Sequence, residues 1–229
     1  MSKNKNVKGH HDGFETVESA LTKTEQYIEE NQKSLTIIIV AILVVVGGYW
    51  AYKKFYLEPK ETQAQSEMFM AERYFEQDSF KLALNGDGQY LGFIDIIDEY
   101  GPTKSANLSN YYAGICYLRL GDFEQAVDYL EQFDGKDRLV APVALGATGD
   151  AYVELGELKK GIEYYEKAAK LNKNELTSPI YLFKAGLVYE DMGELKKAVE
   201  SYETIKYKFP SSDEAKDIDK YITAAKMKM

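Results

Sequence analysis

One pattern recurs three times in this 229-residue chain and limits what it can fold into. The segments YYAGICYLRLGDFEQAVDYLEQF (111–133), GATGDAYVELGELKKGIEYYEKAAK (146–170) and LFKAGLVYEDMGELKKAVESYETIK (182–206) align without forcing. Each carries Gly-x-x-Tyr-x-x-x-Gly: Gly114, Tyr117 and Gly121; Gly149, Tyr152 and Gly156; Gly186, Tyr189 and Gly193. Five residues past the second glycine comes a small residue, Ala126, Gly161 or Ala198, and four further on a large one, Leu130, Tyr165 or Tyr202. The tyrosines are 35 and 37 residues apart. In physical terms this is a pair of antiparallel helices, A and B. The first glycine lets them approach closely, and the tyrosine fills the space between them. The second glycine ends helix A in a left-handed cap, and the small residue on helix B allows close contact again. A unit this short cannot bury its apolar face alone, so the repeats must stack into an all-α solenoid.

The pattern resembles the tetratricopeptide repeat, a helix–turn–helix unit of about 34 residues. Pro210, in KFPSS, sits where that family often ends a repeat. A weaker copy lies upstream, where Ala71, Tyr74, Asp78 and Ala83 match the offsets and Asp78 replaces the turn glycine. Tyr74 precedes Tyr117 by 43 residues. The excess over one period is expected in NGDGQYLG (85–92), so this first repeat is elongated or split, with Phe93, Ile94, Ile96, Ile97 and Tyr100 continuing its helix. Ser211-x-x-Glu214 reads as a capping box, and Ile218, Tyr221, Ile222 and Ala225 follow helical spacing beside Asp213, Lys216, Asp217, Asp219 and Lys220. These features predict repeats over 64–210, the first irregular and three regular, and a capping helix over 211–229.

A second feature is hidden by the mean hydropathy of −0.40. Residues 34–52, SLTIIIVAILVVVGGYWAY, carry no charge over nineteen positions. As a helix they span about 28 Å, close to the hydrocarbon core of a bilayer. Tyr49, Trp50, Tyr52 and Tyr56 gather at one end as interfacial aromatics do, and Lys33 and Lys53–Lys54 bracket the run. The run starts late for a signal peptide and is followed by Lys53 and Lys54 with no small-x-small cleavage pattern. It predicts an uncleaved transmembrane signal anchor over 34–56, after a tail (1–33) and before a linker (57–63) that Pro59 breaks or bends unless the helix is continuous. Phe14, Val17, Leu21 and Ile28 place a short amphipathic helix in 14–30, either a plain surface helix or one that docks on another membrane protein. Lysines before and after the span favour a cytoplasmic N-terminus only weakly. The short leader and long following domain favour it more, and the reverse orientation, a cytosol-facing receptor, stays open.

The net charge of −9 argues against a nucleic-acid binder. It belongs to the repeats: residues 58–229 hold 21 basic and 31 acidic groups, a net −10. The lone Cys116 excludes an intramolecular disulfide and a Cys-based zinc site. His10–His11 reads as tail rather than metal site. There is no HExxH, GxSxG or P-loop, and GDG (86–88) lacks the Lys-Ser/Thr that a phosphate cradle needs. Cys116 lies inside helix A without a histidine on its side of the span. The sequence therefore points to no catalytic residue, no cofactor and no metal, and to a binding protein rather than an enzyme.

The tetratricopeptide resemblance implies a concave groove lined by helix A. Its offsets fall on Leu108, Tyr111, Ile115, Leu118 and Arg119, on Val143, Asp150, Val153 and Glu154, and on Ile180, Phe183, Leu187, Glu190 and Asp191. Apolar members would take extended or helical segments and acidic members would prefer basic partners, or several would pack on neighbouring helices instead. Of the family's basic clamp for C-terminal carboxylates only Arg119 is present.

The whole layout, a short amphipathic segment, the approach EENQKSL (29–35), one apolar helix ending GGYWAYKK (47–54) and then the repeats, resembles the YfgM-like family. That resemblance implies a single-pass inner-membrane protein with a periplasmic repeat domain. It would serve as an ancillary subunit of the Sec translocon, partnered by translocon subunits, periplasmic chaperones or exported chains, with no nucleic acid or small-molecule substrate. The alternative is a structural subunit of a cell-envelope complex such as a secretion or division assembly.

Overall fold

The structure, a computed structural model, describes residues 27–229, which are helices and connecting turns with no strand among them. Two compact units divide between Tyr56 and Leu57. In the first, α1 (Gln32–Tyr52) buries no residue. It is long and apolar enough to cross a membrane. Its exposed isoleucines, valines and leucine run all round the helix, so it has no polar face to give to water. Trp50 stands edge-on to Phe55 and Tyr52 stacks on Tyr56. The amphipathic stretch at 14–30 falls outside the described residues except for its last four positions, and His10–His11 falls outside altogether.

Residues 57–63 are helical, which corrects the expected linker. A π-helical turn over Lys53–Leu57 is followed by α2 (Glu58–Glu76). Pro59 does not break the chain: it follows the wider π-helical turn over Lys53–Leu57 and lies among helical residues.

The second unit is a stack of helix pairs. The first pair has α2 as helix A and a helix B split into α3 (Phe80–Asn85) and α4 (Phe93–Tyr100). Three regular pairs follow: α5 (Lys104–Leu120) with α6 (Phe123–Gln132), α7 (Val140–Glu154) with α8 (Leu158–Leu171), and α9 (Ser178–Asp191) with α10 (Leu195–Lys208). The turn glycines have φ of 81° at Gly121, 76° at Gly156 and 72° at Gly193, the left-handed cap that the sequence predicts. Asp78 adopts φ 53° in the same place, so the irregular repeat makes the same turn with a less suited residue. The split in its helix B is held by Asp87, which accepts from the Tyr74 phenol at 2.7 Å and from the backbone of Gln89 and Tyr90.

Close approach of A and B has a specific partner in every regular repeat. A Cβ on Gly114 would lie 2.5 Å from Leu130 Cγ, one on Gly149 2.7 Å from Tyr165 Cδ1, and one on Gly186 2.3 Å from Tyr202 Cε1. The large residue of helix B therefore fills the gap over the glycine. The repeat tyrosines make contacts both within a helix pair and between pairs. Tyr117 and Tyr152 stack on Tyr129 and Tyr164 of their own helix B, with ring centroids 5.4 Å apart. Tyr152 and Tyr189 also tie the stack together: their phenols donate to Glu131 and Glu166, on helix B of the preceding repeat, at 2.9 and 2.8 Å. Burial, with Glu131 beside it, pushes the Tyr152 phenol up to about 12. Ala126 and Ala198 are fully buried, and a Cβ on Gly161 would meet Val153 Cγ2 at 2.5 Å.

The terminal cap is α11 (Ile218–Met227), which buries Ile218, Ile222 and Ala225 against the last repeat. The expected capping box at Ser211 is displaced by one residue. Ser212 Oγ accepts from Ala215 N at 3.2 Å and donates to Phe209 O at 2.9 Å, closing a 3-10 turn over Glu214–Lys216.

Candidate protein-binding groove

Helix A of successive repeats lies side by side, so residues recurring at three- and four-residue spacing on α5, α7 and α9 face one surface. The structure brings seven of the fourteen sequence-derived groove residues into one recess of about 580 Å³: Ile115, Leu118, Arg119, Val143, Asp150, Val153 and Glu154. Phe123, Ala147, Tyr165, Tyr181 and Lys184 complete it. Leu187, Glu190 and Asp191 line a second recess whose far wall is α11, through Lys220, Tyr221, Ala224 and Lys228.

The remaining four pack into the solenoid. Leu108 lies against the core around Phe93 and Ile96. Tyr111 sits 5.6 Å from the Phe133 ring, and burial raises its phenol pKa. Ile180 and Phe183 pack on the C-terminal core, Phe183 edge-on to Tyr221 at 4.7 Å. Their partners differ: the preceding helix pair for Leu108, Phe133 at the end of α6 for Tyr111, and the C-terminal core for Ile180 and Phe183.

At the floor of the middle recess Asp150 accepts from the Tyr165 phenol at 2.6 Å and from Lys184 Nζ at 2.7 Å to both oxygens. Lys184 also lies 5.8 Å above the Tyr165 ring. Burial first, and the Asp150 charge second, push the Tyr165 phenol far up, so it stays a donor. The expected acidic character of this surface is therefore corrected. Asp150 is paired in place with Lys184, and Arg119 lines the same recess as Glu154. What remains for a ligand is apolar wall with polar groups spaced along it.

Phe123, Ala147, Tyr165, Tyr181 and Lys184 are missing from the sequence-derived groove set. Lys184 and Ala147 stand four residues beyond Ile180 and Val143, so helical spacing contains them. The direction of the Tyr165 phenol depends on the glycine gap beneath the ring and has no local signal.

Cys116 is fully buried, and burial pushes its thiol up to about 12, which leaves it protonated and unreactive. Among the described residues no group of His, Cys, Asp or Glu could hold a metal ion.

One tetratricopeptide repeat family model matches residues 144–175, and a second matches 109–135 and 181–212. Together these coincide with the three regular helix pairs, so the chain carries tetratricopeptide repeats. The structure is similar to a kinesin light chain of Podosopora anserina with nearly identical TPR-like repeats, at TM-score 0.55 and 15% identity, covering 73% of this chain and 87% of that one. It is also similar to MamA protein, at TM-score 0.52 and 21% identity, covering 72% and 91%. At these identities the likeness concerns the fold. No curated protein matches the chain.

Proposed function

We propose that the protein is a membrane-anchored interaction scaffold. Its repeats hold a partner's apolar-rich segment in the middle recess, and its apolar helix fixes the repeats beside a secretion or folding machine of the bacterial inner membrane. The tetratricopeptide repeats support the scaffold role. The observation that carries the reading is the recess itself: a mixed wall with Asp150, Tyr165 and Lys184 already paired needs little reorganisation to receive a ligand. An extended or helical segment gains affinity there by burying apolar side chains against Ile115, Leu118, Val143 and Val153. The anchor reading rests on α1, which is long and apolar enough to span. The YfgM-like layout supports a periplasmic repeat domain near the Sec translocon and an N-terminus in the cytoplasm. Within this reading the protein is not an enzyme and needs no cofactor.

Orientation selects the pool of partners. The test is protease treatment of spheroplasts. Digestion of the repeat unit without lysis is the expected result. Protection until lysis would place the repeats in the cytosol and overturn the translocon role.

A further inference from the structure

The loops joining each helix B to the next helix A share one edge of the repeat unit, and polar contacts link them in sequence. Glu61, in the first turn of α2, accepts from Lys104 N at 2.6 Å and Ser105 Oγ at 2.9 Å, at the start of α5. Asn107 exchanges two hydrogen bonds with the backbone of Asp134. Asn172 donates to Asp137 O at 3.0 Å, and Asn174 closes the following loop on Thr177 and Ser178. This leading edge thus starts where the repeat unit starts, directly after Leu57.

Its surface differs from that of the opposite edge. Leu139, Leu171 and Leu176 are 50%, 45% and 61% exposed. Lys104, Arg138 and Lys173 are exposed and make no ion pair among the described residues. The nearby acids are mostly engaged: Asp137 accepts from the backbone of Leu139, Val140 and Ala141, and Asp134 pairs with Lys136 at 3.2 Å. Glu175 remains on the same loops as Arg138 and Lys173, and Asp98 and Glu99 stand exposed at the end of α4, before Lys104. The patch ends before residues 209–217, which carry Asp213, Glu214 and Asp217 and no leucine. The opposite edge holds the A-to-B turns, where an acid follows each turn glycine, Asp122, Glu157 and Glu194; Glu157 and Glu194 pair with Lys160 and Lys197, Lys159 and Lys196 stand exposed beside them, and the exposed leucine there is Leu120. Leucines set among unpaired cations, in a unit of net charge −10, match a surface that is apolar inside and anionic outside.

We propose that this leading edge rests on an anionic phospholipid surface. Leu139, Leu171 and Leu176 enter the interfacial layer, and Lys104, Arg138 and Lys173 meet lipid phosphates. The inference builds on the anchor reading, which holds the first residues of the repeat unit at the bilayer.

The test uses the full chain reconstituted into vesicles of brominated phosphatidylcholine and phosphatidylglycerol. Leu139→Cys, Leu176→Cys and, on the opposite edge, Glu157→Cys each carry a fluorophore; buried Cys116 does not compete for label. Bromine quenching at 139 and 176 but not at 157 is expected, falling when Lys104, Arg138 and Lys173 are all changed to Gln. All three sites are exposed, so the labelled variants keep the fold. No quenching at 139 and 176, or equal quenching at 157, overturns the lipid contact, as does a contact of this edge with a membrane protein in place of lipid. Alkaline extraction separates the two claims. A chain that resists extraction yet shows no quenching keeps its anchor and loses this edge. One that washes out of vesicles after showing quenching keeps the edge and loses the anchor.

Discussion

The inner face repeats one chemical device at two places, and the two differ in what surrounds it. In the middle, Asp150 is held by Tyr165 from helix B and Lys184 from the next helix A. At the end, Glu190 is held by Tyr202 and by Lys228, just past α11, at 2.8 and 2.7 Å. Both tyrosines lie over the repeat glycine, but the acid follows that glycine by one residue in the middle (Gly149, Asp150) and by four at the end (Gly186, Glu190), so the same trio is assembled from two different registers. The middle device sits among apolar walls with a complete repeat on either side. The end device is completed by the chain's penultimate residue, whose side chain is 60% exposed, against 37% for Lys184. A shared motif thus gives a preorganised ligand floor in one place and a fastening for the cap in the other.

The strongest way to break this comparison is to remove the two rings. Tyr165→Ala and Tyr202→Ala each empty the space above a glycine and are expected to cost about 3–5 kcal/mol, read by denaturant unfolding. A much smaller loss for Tyr165 would mean that the middle recess is not built on a packed floor. Next comes Lys184→Met, which leaves Asp150 with one donor. Solvent screening at this partly exposed pair keeps the expected loss to about 1 kcal/mol, and ligand capture falls with it. Lys228→Met is weaker, at about 0.5 kcal/mol or less, and its effect is confined to faster amide exchange in α11.

The smallest effect is one of pH. Burial pushes the Glu190 carboxyl up, but the hydrogen bonds from Lys228 and Tyr202 outweigh it and hold it below its ordinary value of 4.5. A carboxylate depressed in the folded state contributes stability above its unfolded pKa and loses it as pH falls through the folded one. The protection factors of the α11 amides, with the intrinsic pH dependence of exchange divided out, should therefore fall as the solution is taken below pH 4.5, and Glu190→Gln should abolish that dependence. Unchanged acid sensitivity in the variant would remove Glu190 from the fastening.

What the sequence discloses follows how local each cause is. Turn glycines, small contact residues and the split first repeat are written in spacing, because each is fixed by backbone geometry within one helix pair. Asp78 was readable as a turn for the same reason. The groove was half readable. Offsets give Val153 and Glu154, which line the middle recess, but Tyr111 and Phe183 share their periodicity and are covered by Phe133 and Tyr221, from elements that no single-helix pattern describes. The pairing of Asp150 with Lys184 spans 34 residues and appears only when helices are stacked. Ser212 displaced Ser211 as a cap because the chain turns through a 3-10 step first.

The most direct test of the binding surface is photocrosslinking in intact cells from a benzoylphenylalanine placed at Val153, in the middle recess, and at exposed Tyr207 outside it. Capture of translocon subunits or exported chains from position 153, with none from 207, is the expected result. Equal capture from both positions, or recovery of cytosolic proteins alone from 153, would contradict the scaffold described here.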